Sequence, residues 1–117
     1  MRFMMLFFAD EQEWMALPDD ERDAAVARIG AWVGQQAQAG RIVEGNRLGG
    51  TRTATSIRLG AAGRSGKPLV IDGPFIETKE AIGSYCVVEV ADRAAAITLA
   101  ESWPGGGGVE IRPVIEM

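Results

Sequence analysis

The sequence predicts an α+β domain, a ferredoxin-like βαββαβ sheet with one inserted β-hairpin, and three observations carry that expectation. Residues 2–8, RFMMLFF, are apolar at both parities, with Phe3, Met5 and Phe7 on one side and Met4, Leu6 and Phe8 on the other. Two helical stripes, at 19–39 and 92–103, are each flanked by strand-like runs. An alternating hairpin at 51–72 is the only piece that does not fit the alternation of strands and helices. Set aside, it leaves the order strand, helix, strand, strand, helix, strand, which is the split pattern of ferredoxin-like sheets.

Taken in order, the first strand lacks the apolar–polar alternation of a strand wetted on one side, so its sheet is expected to be covered on both faces. Both helices of this topology pack on one face, and one chain has few elements left for the other. A second copy, making a homodimer, is the economical cover. Residues 19–39 read as a helix because Asp19, Asp20, Glu21 and Asp23 crowd its start, where the macrodipole favours anions. Pro18 suits the entry and Gly40 the exit. Val26, Ile29, Trp32, Val33 and Ala37 supply a core-facing stripe.

Residues 41–48 follow as a short strand. TRTATSIRL, residues 51–59, alternates cleanly, and GAAGRSG turns it back into KPLVID, a hairpin with one wet face. SYCVVEV, 84–90, is a further apolar strand. Asp92 is the N-cap of a second helix with Ala96, Leu99, Ala100 and Trp103 as its stripe and Pro104 as its stop. After the connector GGGG, the run VEIRPV closes the sheet with Val109 and Ile111 on one face and Glu110 and Arg112 on the other.

Bulk properties bound the partners. The 117 residues suit a single domain spanning 1–117. The net charge of −4 and dispersed basic residues exclude a nucleic-acid groove, which needs a positive stripe. No segment reaches the roughly 20 apolar residues of a membrane span. The apolar run 3–9 passes straight into Asp10, Glu11 and Glu13 without a cleavage site, so it reads as a strand and not a signal peptide. A lone cysteine, Cys86, fits a reducing cytoplasm. With no histidine and no paired cysteines, no metal site is expected. No phosphate-binding glycine loop is present, since GRSGK at 63–67 is followed by no helix, and no cofactor is expected.

One stretch is unusual for a connector: DGPFIETKE, 72–80, between the apolar runs KPLVI and SYCVVEV. With MRFMMLFFADEQEW at the start and VEIRPV at the end, it makes the chain resemble the DGPF-domain proteins, a branch of the YCII-related family. The resemblance covers nearly the whole length. It implies a dimeric α+β barrel, in which two ferredoxin-like sheets face each other as a homodimer. Members are mostly bacterial and lack an established reaction. Some are encoded beside sigma factors of the extracytoplasmic-function type, which implies a regulatory setting. Wider relatives carry a His-Asp pair proposed as a catalytic dyad; this chain has no histidine, so that dyad is not carried over.

Two readings fit the residues of that stretch. As a structural corner, Asp72 accepts backbone N–H bonds, Gly73 tolerates the turn, Pro74 locks φ, Phe75 anchors the loop and Thr78 caps a short turn. As a functional loop, Asp72, Glu77 and Lys79 line a pocket. Glu110 and Arg112, with Arg47 and Glu89 as neighbours of unsettled parity, likewise read as an inter-strand salt bridge or as an anion pocket with Arg112 as bidentate donor. Trp14, Trp32 and Trp103 read as packing, and Cys86 as an inert buried thiol.

The function expected is a homodimer that binds a small polar or anionic metabolite in a cleft between the sheet and the DGPF loop. Asp72, Gly73, Pro74, Phe75, Glu77, Lys79 and Arg112 are its expected ligand-binding residues. If the protein is an enzyme, Asp72 or Glu77 is the acid or base and Arg112 the electrostatic clamp. The alternative is a non-catalytic dimeric interaction or regulatory module.

Overall fold

The computed structural model describes residues 1–60, 66–76 and 78–116. Most of the expected hairpin tip, at 61–65, and the candidate Glu77 lie outside the described residues. In chain order the elements are β1 (Arg2–Asp10), α1 (Glu11–Ala16), α2 (Asp19–Gln38), β2 (Ile42–Arg47), a 3-10 turn (Thr51–Thr53), β3 (Thr55–Arg58), β4 (Leu69–Asp72), β5 (Glu80–Glu89), α3 (Arg93–Glu101) and β6 (Gly108–Pro113). One sheet has the strand order β2-β5-β1-β6 with every neighbour antiparallel. β3 and β4 form a separate two-stranded ladder. This is the ferredoxin-like α+β fold with an inserted hairpin.

The core lies between the sheet and one side of α2 and α3. Phe3, Met5 and Phe7 of β1 meet Cys86 and Val88 of β5, Trp32 of α2, and Ala96 and Leu99 of α3. Phe7 stacks on Trp103 with centroids 3.9 Å apart, and Trp32 meets both rings edge-on. The Trp32 indole N–H donates to Ser102 Oγ at 2.8 Å, so the one polar atom of that buried ring is satisfied. α3 starts where expected: the Asp92 carboxylate accepts from the Ala95 N–H at 2.9 Å.

α2 departs from the expected stripe. Its buried residues are Ala25, Trp32 and Gln36, while Val26 and Val33 remain 43% and 40% exposed. The helix rests on the sheet through Trp32 and leaves its Val26–Val33 edge hanging over a cavity. Gln36 is held by a bond from an Arg41 guanidinium N–H to its Oε1, 2.8 Å. α1 was not expected at all. It exists because Asp10 caps it, accepting from the Gln12 and Glu13 N–H groups at 2.9 and 3.2 Å, with Glu11 and Glu13 in its first turn.

The second face of β1 is open. Register places Met4 opposite Val87 and Arg112, and Leu6 opposite Tyr85 and Glu110. Met4, Leu6 and Phe8 are half-buried there, and no helix among the described residues covers them, because both long helices sit on the other face.

The hairpin also differs from expectation. Thr51–Thr53 turns instead of extending, and the ladder pairs only Thr55–Arg58 with Leu69–Asp72. Ile57 pairs with Val70 and Ser56 with Ile71, so the apolar residues occupy both faces, and both faces are wet. The ladder stands off the body as an arm. The radius of gyration, 16.6 Å, exceeds the roughly 13 Å of a compact chain of this length for that reason.

Candidate functional site

The sheet and helices part at the end where β1 runs out and β5 begins, leaving a cavity of about 730 Å³. Phe7, Gly45, Ser84 and Cys86 form its floor on the helix side of the sheet. Trp14 and Met15 of α1, with Val26, Ile29 and Val33 of α2, form its walls. Gly45 is required in the floor: a Cβ there would come within 2.9 Å of Cys86 Cβ. The volume falls in the range of small-molecule sites, and the mostly apolar lining with few polar groups is their usual chemistry.

Those polar groups sit at the rim. Arg47 pairs in register with Ser84, which pairs with Phe7, so it stands on the helix side of the sheet. Arg52 comes from the 3-10 turn. Among the described residues neither arginine makes an ion pair. Glu11, also at the rim, is already engaged: its Oε2 accepts from the Thr51 N–H at 3.0 Å and so ties α1 to the segment facing it. Two basic groups at the rim thus lack an ion-pair partner among the described residues. Cys86 in the floor is a neutral thiol at pH 7, because burial pushes its pKa from 9.0 up to about 11.

The DGPF corner lies beside this rim, outside the cavity. Asp72 ends β4 opposite Thr55. The Gly73 N–H donates to the Ala54 carbonyl at 2.7 Å, and the Gly73 carbonyl accepts from Ser56 Oγ at 2.8 Å. Gly73 has φ of 112°, the left-handed region where glycine is favoured. The bond into Pro74 is trans. Phe75 is exposed, with the Arg58 guanidinium 4.5 Å from its ring centroid. The corner therefore fastens the base of the arm to 54–56, a few residues from Thr51 and Arg52 on the rim.

Lys79 lies elsewhere. Its Nζ is 3.9 Å from Asp10 Oδ2, and with Thr78, Gln12 and Thr51 it borders a smaller polar cleft of about 340 Å³. Arg112 and Glu110 stand on the open sheet face. None of Asp72, Gly73, Pro74, Phe75 or Arg112 lines either cavity, and no hydrogen bond or ion pair among the described residues joins Arg112 to the corner. Glu89 pairs with Arg2, Nε to Oε2 at 3.2 Å, on the open-face side, whereas Arg47 takes the opposite parity. Trp14, Met15 and Arg52 line the cavity and are not among the ligand-binding residues expected from sequence. The signal for the first two was Asp10 with Glu13 three residues on, a capping-box spacing that opens a helix.

A ferredoxin-like α+β domain with an apolar, arginine-rimmed cavity and a detached hairpin arm is the class these features define. The chain belongs to the YCII-related domain family, whose model matches residues 1–117. It is 28% identical over 118 residues to an uncharacterised protein of Rhizobium meliloti (strain 1021), across 97% of this chain and 92% of that protein. No helix is long and apolar enough to cross a membrane among the described residues.

Proposed function

We propose that the protein is a cytoplasmic homodimer that binds a small anionic metabolite with an apolar body in the helix-side cavity. The observation that carries the reading is the cavity itself: about 730 Å³, walled by Trp14, Ile29 and Val33, with Arg47 and Arg52 at its mouth and in no ion pair among the described residues. Apolar walls favour a hydrocarbon or aromatic body, and a charge-assisted bond to a guanidinium fixes the anionic end. The ligand's anion is assigned to Arg47 and Arg52; Arg112, on the open face, is assigned to the boundary between the two copies. Met4, Leu6 and Phe8 support that boundary, since they are apolar residues on an uncovered sheet face. The reading assigns no reaction. The arm favours the rival, a non-catalytic interaction module, and the two readings separate by experiment.

Titration with anilinonaphthalene sulfonate, an aromatic anion of suitable size, tests the site. Saturable binding of about one probe per protomer is expected, weakened roughly tenfold by Arg47→Ala and abolished by Val33→Trp, which fills the space. Near-ultraviolet circular dichroism checks that each variant keeps its packing. Binding that ignores both substitutions in folded protein overturns the cavity reading and leaves the interaction module standing.

A further inference from the structure

We infer that the β3–β4 arm is a clasp that packs on the body of a second copy of this chain. Three independent observations lead there. The first is apolar exposure without cover: Ile57, Leu59, Leu69, Val70, Phe75 and Ile76 are each between 56% and 69% exposed. An isolated two-stranded ladder is marginal in water, and exposed apolar residues on both of its faces mark an interface.

The second is area. The chain exposes 8599 Å². A compact monomer of 12.5 kDa exposes about 6,200 Å². The excess, about 2,400 Å², is of the size that each member of an obligate homodimer hides. The open sheet face alone does not account for it, because its central residues are already half-buried.

The third is charge, and it selects the occupant. Residues 55–72, which make the arm, hold three basic and one acidic side chain, a net +2. The remaining residues hold nine basic and fifteen acidic ones, a net −6. A positive arm on a negative body fits another copy of the same body, and self-complementarity of this kind is what a two-fold interface requires. It does not fit the chain's own body, from which the arm residues stand clear. The margins of the partner's open face suit the arm: Glu44 on β2 and Glu110 on β6 flank Met4, Leu6 and Tyr85. In such a dimer the DGPF corner holds the clasp at the angle that lets it reach across, which gives the rigid Gly73–Pro74 turn a purpose. The inference deepens the homodimer proposed above and rests on it.

Sedimentation of the full chain tests both and tells them apart. Wild type is expected to be dimeric at micromolar concentration, with the dimer weakened at high salt because exposed charges are screened. The exposed pair Arg58→Glu with Lys67→Glu is expected to raise the dimer dissociation constant by at least tenfold while leaving the circular dichroism spectrum unchanged. Carbodiimide coupling of mixed light and heavy protein adds a direct reading: bonds between Lys67 of one isotope and body carboxylates of the other are expected. A monomeric wild type overturns the homodimer and the clasp together. A dimer indifferent to the charge reversal, with Lys67 coupling only inside its own chain, overturns the clasp alone.

Discussion

β1 and β4 are both continuous apolar runs, and the fold treats them in opposite ways. In β1, Phe3, Met5 and Phe7 are at most 5% exposed, whereas in β4 Leu69, Val70 and Ile71 are 56%, 63% and 37% exposed. β1 is central, hydrogen-bonded on both sides by β5 and β6, and roofed by α2 and α3. Among the described residues β4 pairs only with β3, and nothing roofs the pair. Hydrophobicity sets how strongly a segment needs cover. Position in the wound unit decides whether the same chain supplies it. The contrast divides the molecule into a body that folds on itself and an arm whose apolar faces are left exposed.

The sharpest way to break that division is to cut the same kind of contact in each half. Met5→Ala removes a fully buried side chain beneath both helices and is expected to lower the unfolding free energy by about 2–5 kcal/mol. Val70→Ser in the arm is expected to change it by less than about 0.5 kcal/mol. Urea unfolding followed by tryptophan fluorescence at nanomolar protein, where association contributes least, reads both through Trp32 and Trp103. Comparable losses in the two variants would mean that the arm belongs to the body's cooperative unit.

A smaller effect sharpens the body's side of the contrast. Cys86 packs in the core, and burial raises its pKa from 9.0 to about 11. The unfolded chain therefore gives up this proton at lower pH than the native one. Stability from the neutral thiol is complete below pH 9 and is lost as pH rises from about 9 to 11, by on the order of 2 kcal/mol. Other groups titrate in that window, so the measurement is the difference in pH slope between wild type and Cys86→Ala. Equal slopes would place the thiol in contact with water and contradict its burial in β5.

How much of this was legible follows the same line. The body was readable because its signals are local and mutually consistent: alternate residues of β1, the Asp92 cap and the parity of Val109 and Ile111 each point inward, and each does so. α2 was half-readable, since periodicity names the Val26–Val33 edge as apolar without saying whether it meets a core or a cavity. The arm was misjudged for a physical reason: alternation predicts a wet and a dry face only when something dry lies nearby. The site was the least legible part. DGPF draws the eye because its residues are unusual, and Gly73 with φ of 112° does make a corner there. The cavity is assembled from ordinary residues, Trp14, Ile29, Val33 and Arg47, which only the folded chain brings together.

The finest test of the division sits at its hinge. Gly73 has φ of 112° with open space around its α-carbon, so a methyl group meets no neighbour and the whole penalty of Gly73→Ala comes from the backbone. An L-residue in that region costs about 1–2 kcal/mol. If arm and body open separately, the cost appears only where the Gly73 N–H to Ala54 carbonyl bond anchors the arm. Amides of the β3–β4 ladder are then expected to exchange with solvent about 5- to 30-fold faster, while those of β1 and β5 keep their wild-type rates. Acceleration spread evenly over ladder and sheet would show one cooperative unit, and the arm could then not move independently to meet a second copy.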